Sequence, residues 1–396
     1  MLNRSELLAA ADPDDRPRRA RALDLVEQTL AALDPGAATA AVLDRWAAAD
    51  PTLAERPWTV FALGKAAARM AAGVSWPVAG GLLLGPGAGP PLIALPVHHP
   101  LPHPRAPESG RRLLAAAQAL GPADRVLVLV SGGGSSMATA PRLPLAEWSD
   151  LQDRLMAAGA DIAELNAVRQ RFDAIKGGGL ARAIAPAALR TVVLSDVPGL
   201  PPEWVASGPT TSPRGGPDPA AVLARFGLAR PLPPPADPPP PSPMAVAADN
   251  DAGVQHLRRA LAEFGLPARP GASLGGDAYA AGVAFARSGA AVAGGETTVV
   301  VQSTEGFGGR NSEFLLGAAE VPGDGLICAL ATDGRDGHSE LAGGLLDASA
   351  RRRITPAAVA DARARSDSAT LLQGAGAAII TGATGGNVAD LVFRLP

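Results

Sequence analysis

Arg125-Val-Leu-Val-Leu-Val-Ser131-Gly-Gly-Gly-Ser-Ser-Met137 is the stretch on which the fold turns. Val126 to Val130 is an unbroken apolar run with a β-branched residue at every second place. A run this short, closed by glycine, predicts a strand buried on both faces, as in a parallel sheet. Ser131, Gly132, Gly133, Gly134, Ser135 and Ser136 follow at its carboxyl end. The glycines allow a tight turn and bring bare N–H groups near a ligand, and the serines can cap a helix or donate to an anion. Ligands of open α/β sheets sit at the carboxyl ends of strands, so this turn is a candidate anion site; a plain strand-to-helix turn is the simpler alternative.

Working outward, the same grammar recurs. Trp58 to Leu63 predicts a strand, followed at once by Gly64-Lys65 and an alanine-rich helix. The P-loop frame is absent, because Ala66 follows the lysine. Gly80 to Leu84, Leu92 to Val97, Thr191 to Leu194, Thr297 to Gln302, Gly325 to Ala331 and Ala377 to Ile380 read as further strands. Helices are expected over 20–49 with a break at Asp34-Pro35-Gly36, and over 106–120, 145–158, 162–172, 250–264 and 276–286. The helix 162–172 carries Asn166, Arg169 and Arg171. Alternation of strand, polar glycine loop and helix means a mainly parallel α/β architecture with its chemistry at one sheet edge.

Composition narrows the class. A chain of 396 residues suits two or three domains. No apolar run approaches the roughly 20 residues of a membrane span. The first residues, M-L-N-R-S-E, lack the basic start of a signal peptide, and a net charge of −3 leaves no footprint for nucleic acid. The single cysteine, Cys328, lies in L-I-C-A-L, reads as a small core residue, and suits the cytoplasm. Of 35 basic residues only Lys65 and Lys176 are lysine, both beside glycine. Lysine is a compact point charge that arginine does not replace against phosphate or carboxylate. His98, His99 and His103 share a proline-stiffened loop that lacks the ligands to complete a metal site. Asp196, closing the strand that ends at Leu194, can hold a divalent cation beside phosphate or cap the next segment. Asp333 and Asp336 stand three apart in a glycine-spaced loop suited to a cation or a hydroxyl. Nine prolines in the thirteen residues 231–243 predict a stiff connector between a domain over 1–232 and another over 244–396. Without further help, these residues describe an α/β enzyme acting on a phosphorylated or anionic small molecule.

Seven motifs in order, V-S-G-G-G-S-S, K-G-G-G-L-A, S-D-V-P-G with A-S-G-P-T, G-G-E-T-T-V, G-F-G-G-R-N-S-E, T-D-G-R-D-G and T-G-A-T-G-G-N-V-A-D-L, resemble the glycerate 2-kinases that carry a C-terminal MOFRL domain. The resemblance covers about residue 60 to 394. It implies a Rossmann-like N-terminal domain, a smaller α/β C-terminal domain with a mixed sheet, and an active site in the cleft between them. The implied reaction converts D-glycerate and ATP to 2-phosphoglycerate and ADP with Mg²⁺, with a homodimer as one candidate assembly and no nucleic-acid or membrane partner. Carried over by position, Lys65 and Arg310 would contact the carboxylate or the γ-phosphate. Asp196, with Asp333 or Asp336, would hold Mg²⁺ or orient the attacking hydroxyl. The turn 131–136 would cradle phosphates or glycerate, and Lys176, Glu296, Asn311 and Asn387 fall in family motifs. The last motif reads as strand, glycine turn and helix start. Departures from the family pattern include Leu200-Pro201-Pro202 after S-D-V-P-G, His103 in place of an aspartate, Gly179 in place of an arginine, and altered T-G-A-T-G-G-N. They keep two alternatives open: a hydroxypyruvate reductase using NAD(P)H, for which no G-x-G-x-x-G frame is present, and a catalytically weak glycerate- or nucleotide-binding protein.

Overall fold

The computed structural model describes residues 1–97, 105–211, 216–266 and 268–396, so His98, His99 and His103 lie outside the described residues. The chain divides into two compact units, residues 35–247 and residues 1–34 with 248–396.

The first unit is built on a six-stranded sheet: β1 (Trp58–Leu63), β2 (Val78–Leu84), β3 (Ile93–Ala94), β4 (Arg125–Ser131), β5 (Ala188–Leu194) and β6 (Met244–Ala248). Their order is β3-β2-β1-β4-β5-β6, the doubly wound order of dinucleotide-binding sheets. The ladders β2–β3, β1–β2, β1–β4 and β4–β5 are parallel. Val126 to Val130 of β4 are 0–2% exposed, which explains why the run is apolar on both faces. Each such side chain contributes about 1.5–3 kcal/mol by leaving water. The strand order reverses between β1 and β4, so the turns after Leu63 and Ser131 meet at the switch point.

The second unit carries β7 (Val292–Gly295), β8 (Leu326–Ala331), β9 (Gly343–Leu346), β10 (Ala378–Ile379) and β11 (Asp390–Leu395) in the order β10-β9-β8-β11-β7. These ladders are antiparallel. Parallel bridges from Pro270, Leu274 and Asp277 to Val292, Gly295 and Thr298 give the mixed character. Cys328 is buried in β8, where burial pushes its thiol pKa up, as befits a core residue.

The structure differs from the expected layout in four places. Thr297 to Gln302 is not a strand; the pairing edge is the preceding Val292–Gly295, whose small residues fit against β11. Asp390 opens a strand and not a helix, because Leu391, Val392 and Phe393 are buried between β7 and β8. The prolines of 231–243 lie within the first unit: Pro239 presses on Gly178, where a Cβ would come 2.5 Å from its ring, and the Pro243 carbonyl accepts from Thr191 N. The segment is a strap on that unit, and β6 beyond it completes the first sheet. Finally, residues 1–34 belong to the unit of the C-terminal half. Arg19 and Asp347, both wholly buried, form a two-pronged pair at 2.8 Å, and Arg19 also donates to the carbonyls of Leu7 and Gly376.

Candidate functional site

In the first unit the site forms where β1, β4 and β5 end. Gly64 has φ +108°, and a Cβ there would stand 2.3 Å from the Ser131 carbonyl, so the two turns touch through bare backbone. Lys65 N donates to the Gly132 carbonyl at 2.8 Å. Ser131 is 1% exposed; its Oγ donates to the Leu63 carbonyl and accepts from Ala66 N, both at 3.1 Å. Ser131 therefore clamps the two strand ends together, with its hydroxyl spent on backbone groups. The Lys65 side chain is exposed and makes no ion pair among the described residues.

The glycine turn and Asp196 are packed against each other. A Cβ on Gly132 would lie 1.7 Å from Asp196 Oδ2, so only glycine admits the carboxylate there. Gly134 meets Ala206 in the same way, at 2.7 Å, and is buried. Gly132, Gly133, Ser135, Ser136 and Asp196 line one cavity of about 430 Å³ together with Asn166, Arg169 and Gln152.

The serine hydroxyls of the turn are not free donors. Asn166 Nδ2 reaches the Trp204 carbonyl at 3.4 Å, which sets its amide so that Oδ1 accepts from Ser207 Oγ at 2.7 Å. A hydroxyl has one proton, so the 2.7 Å contact between Ser135 and Ser207 is Ser135 donating. Ser136 Oγ donates to the Gly133 carbonyl. Ser207 holds this chain from a left-handed backbone, φ +62°, next to Ala206 at φ +52°. Donors for an anion must then come from backbone N–H groups or from side chains outside the turn, such as Arg169 and Gln152.

The helix Ile162–Phe172 carries Asn166 and Arg169 one turn apart. Asp161 and Glu164 start it with a reciprocal capping box, and Leu165, Val168 and Phe172 bury its apolar stripe. Arg169 Nε donates to Gln152 Oε1 at 2.6 Å. Burial holds this guanidinium down to about 10, against the pull of Asp173. Two polar residues at i and i+3 beside a capped apolar stripe were the available signal for this pair.

Lys176 does not reach the cavity lining. It is 1% exposed, and its Nζ donates to Asp173 Oδ2 at 2.8 Å and to the Ala138 carbonyl at 3.1 Å. Burial lowers its pKa and the Asp173 carboxylate pulls it back up. Asp173 also accepts from Thr139 and from the N–H groups of Ala140 and Ile175. The lysine thus locks the exit of the glycine turn, a structural task in place of the expected ligand contact.

In the second unit, Arg310 opens the helix Arg310–Ala319 and pairs with Glu296 and with Asp390, whose Oδ2 lies 2.9 Å from its Nε. Asp390 was not foreseen. Burial pushes its carboxyl up to about 7, against the pull of Arg310 and Asn311. Asp336, expected as a metal ligand, is 1% exposed and accepts from the N–H groups of Asn311 and Ser312 at 2.8 Å each. It satisfies the first turn of that helix, and Asn311 spends its side-chain amide on Asp336 and Asp390. Asn387 Oδ1 accepts from Ala389 N and shapes the turn into β11. Arg310 and Asp333 line a cavity of about 630 Å³ with Gly306, Gly308 and Gly309. Among the described residues no group of three or more His, Cys, Asp or Glu side chains is arranged to hold a metal ion.

Known proteins resemble this chain over most of its length. The model of a domain of unknown function, DUF4147, matches residues 21–237, and that of the MOFRL family matches residues 289–390. A protein of Agrobacterium vitis named "Putative hydroxypyruvate reductase" is 36% identical over 87% of this chain and 90% of its own. The D-glycerate 2-kinase of Thermotoga maritima is 31% identical over 75% of this chain and 78% of its own. The crystal structure of a glycerate kinase from Thermotoga maritima superposes with a TM-score of 0.82 at 28% identity, covering 95% of this chain and 98% of that one. A DUF4147 region followed by a MOFRL region, on this sheet order, means that the chain belongs to the glycerate 2-kinase family of kinases.

Proposed function

We propose that this protein transfers the γ-phosphoryl group of ATP to the 2-hydroxyl of D-glycerate, giving 2-phosphoglycerate and ADP in the cytoplasm. The observation that carries the reading is the packing of Asp196 onto the glycine turn at the carboxyl ends of β4 and β5, with the exposed Lys65 following β1. Phosphoryl transfer asks for positioning and for charge opposite the transferred group. In this reading the Lys65 ammonium neutralises the γ-phosphoryl oxygens and backbone N–H groups of Gly132 and Gly133 orient anionic oxygens. Asp196 would hold Mg²⁺, which when bound spreads the negative charge of the phosphates. The substrate hydroxyl oxygen bonds to phosphorus as the bond to the ADP oxygen breaks, and the hydroxyl proton passes to solvent.

Purified protein with ATP, Mg²⁺ and D-glycerate should yield 2-phosphoglycerate, resolved from its 3-isomer by chromatography or phosphorus NMR. Formation of the 3-isomer alone, or of no product, would remove the proposal. Gly132→Ala offers a sharper check on the site. The added methyl would overlap the Asp196 carboxyl group and force it to turn away from the glycine turn. The expected result is a fall in kcat of about a hundredfold, the scale of losing one charge-positioning group. A kcat within threefold of the parent would show that Asp196 is not used.

The doubly wound sheet order and the Agrobacterium relative's name favour the reductase reading. Against it, the turn after β1 is Leu63-Gly64-Lys65-Ala66, with Gly64 already filled by the Ser131 backbone and no second glycine to admit a pyrophosphate. Saturable NADH binding by fluorescence, together with reduction of hydroxypyruvate, would reverse this preference.

A further inference from the structure

We infer that Arg169 and Gln152 form the seat of the substrate's carboxylate, on the wall of the 430 Å³ cavity beside the glycine turn. The identity of the acid rests on the kinase reading above; its charge does not. Three observations support the assignment. First, Arg169 makes no ion pair with a carboxylate among the described residues: its one hydrogen bond there is from Nε to Gln152, and the carboxylate that pulls on it, Asp173, is already bonded to Lys176. Second, Gln152 accepts that bond through Oε1, since Nε can only donate, and this fixes its amide orientation. Its Nε2 is then a buried donor with no partner, on a residue 9% exposed that lines the same cavity. A buried donor left unpaired is costly, so the wall calls for an acceptor.

The third observation chooses between two anions. A nucleotide phosphate offers acceptors only. A hydroxy acid offers a planar acceptor carboxylate and a donor hydroxyl. The cavity wall has both complements: guanidinium and carboxamide donors at Arg169 and Gln152, and the Ser135 hydroxyl, whose proton is given to Ser207 and whose lone pairs can only accept. A guanidinium fork also matches carboxylate geometry, two oxygens against two N–H groups.

The test uses the full-length enzyme with Gln152→Glu and Arg169→Gln. Gln152→Glu is nearly isosteric and gives Arg169 an internal counter-ion within reach of its Nε. If the pair only holds two helices together, this substitution is harmless. If the pair seats the substrate, the new carboxylate takes the substrate's place. KM for D-glycerate should rise about 10- to 100-fold in both variants, the range for losing a charge-assisted hydrogen bond. KM for ATP should stay within twofold, and the melting temperature of Gln152→Glu should be equal to or above that of the parent. A rise in KM for ATP in place of glycerate would overturn the assignment in favour of a phosphate seat, and no change in either would overturn it in favour of a packing role. Calorimetry on nucleotide-free protein separates this from failure of the kinase reading. If glycerate is not phosphorylated, heat from glycerate or lactate but not glycerol, lost in Gln152→Glu, still sustains the seat. Heat equal for glycerol, or retained in the variant, removes it.

Discussion

Lys65→Ala should lower kcat by about 10²–10³-fold while leaving the melting temperature within a degree or two of the parent. The magnitude is that of removing one group that stabilises transition-state charge. The stability expectation follows from exposure: the Lys65 side chain is solvent-facing and its fixed contact is through its backbone N–H to Gly132, which alanine keeps. A split between kcat and KM then carries the information. Loss in kcat with KM for ATP nearly constant would assign the ammonium to the transition state, whereas a rise in KM alone would make it a ground-state binder. A kcat within tenfold of the parent would take Lys65 out of the chemistry. Lys65→Arg should recover part of the loss, because charge is kept while the compact ammonium is replaced by a fork.

The largest stability effect is expected far from the glycine turn. Arg19→Ala should destabilise the protein by about 3–5 kcal/mol, the usual cost of stranding the partner of a buried pair. Asp347 would keep the Ala350 N–H and lose both guanidinium bonds, while the carbonyls of Leu7 and Gly376 would lose their donor. Denaturant unfolding of parent and variant measures this, provided the unit containing residues 1–34 is followed by its own probe. A difference under about 1 kcal/mol would mean that the N-terminal helices are held by apolar packing alone. Arg19→Lys should lie between the two, since an ammonium cannot satisfy both carboxylate oxygens and both carbonyls.

The two substitutions bear on what can be read from a chain and what cannot. The β4 run, the Trp58–Leu63 strand and the helix Ile162–Phe172 were legible because each is governed by local periodicity and punctuation. Asp196 was legible as a candidate because it follows a buried strand, where a carboxylate can hold a cation or cap the next segment. The family motifs made Lys65 and Arg310 visible. Misreadings came where folding hands a residue a buried partner that its local pattern does not announce. Asp336 looked like a ligand and is a cap for backbone N–H groups 24 and 25 residues away. Lys176 looked poised for phosphate, yet its neighbour Asp173 takes its charge once both are buried. Asp390 looked like the start of a helix until β7 and β8 closed around it.

By itself, the sequence determined the layered α/β class, the parallel core strands and the polar glycine turns at their carboxyl ends, because alternation and glycine punctuation act within a few residues. It also determined the family, through the order of its motifs. Tertiary structure alone decided which chain segments share a unit, with residues 1–34 pinned beside β9 by a buried ion pair 328 residues apart. It likewise decided which charges are spent and which are available. Lys176, Asp336 and Asn311 are consumed internally, while Arg169 is held by a Gln152 whose Nε2 has no partner. The physical reason is desolvation: a polar group's role is set by whether folding supplies it a partner or leaves that place to a ligand, and the candidate seat beside Gly132 to Ser136 is of the second kind.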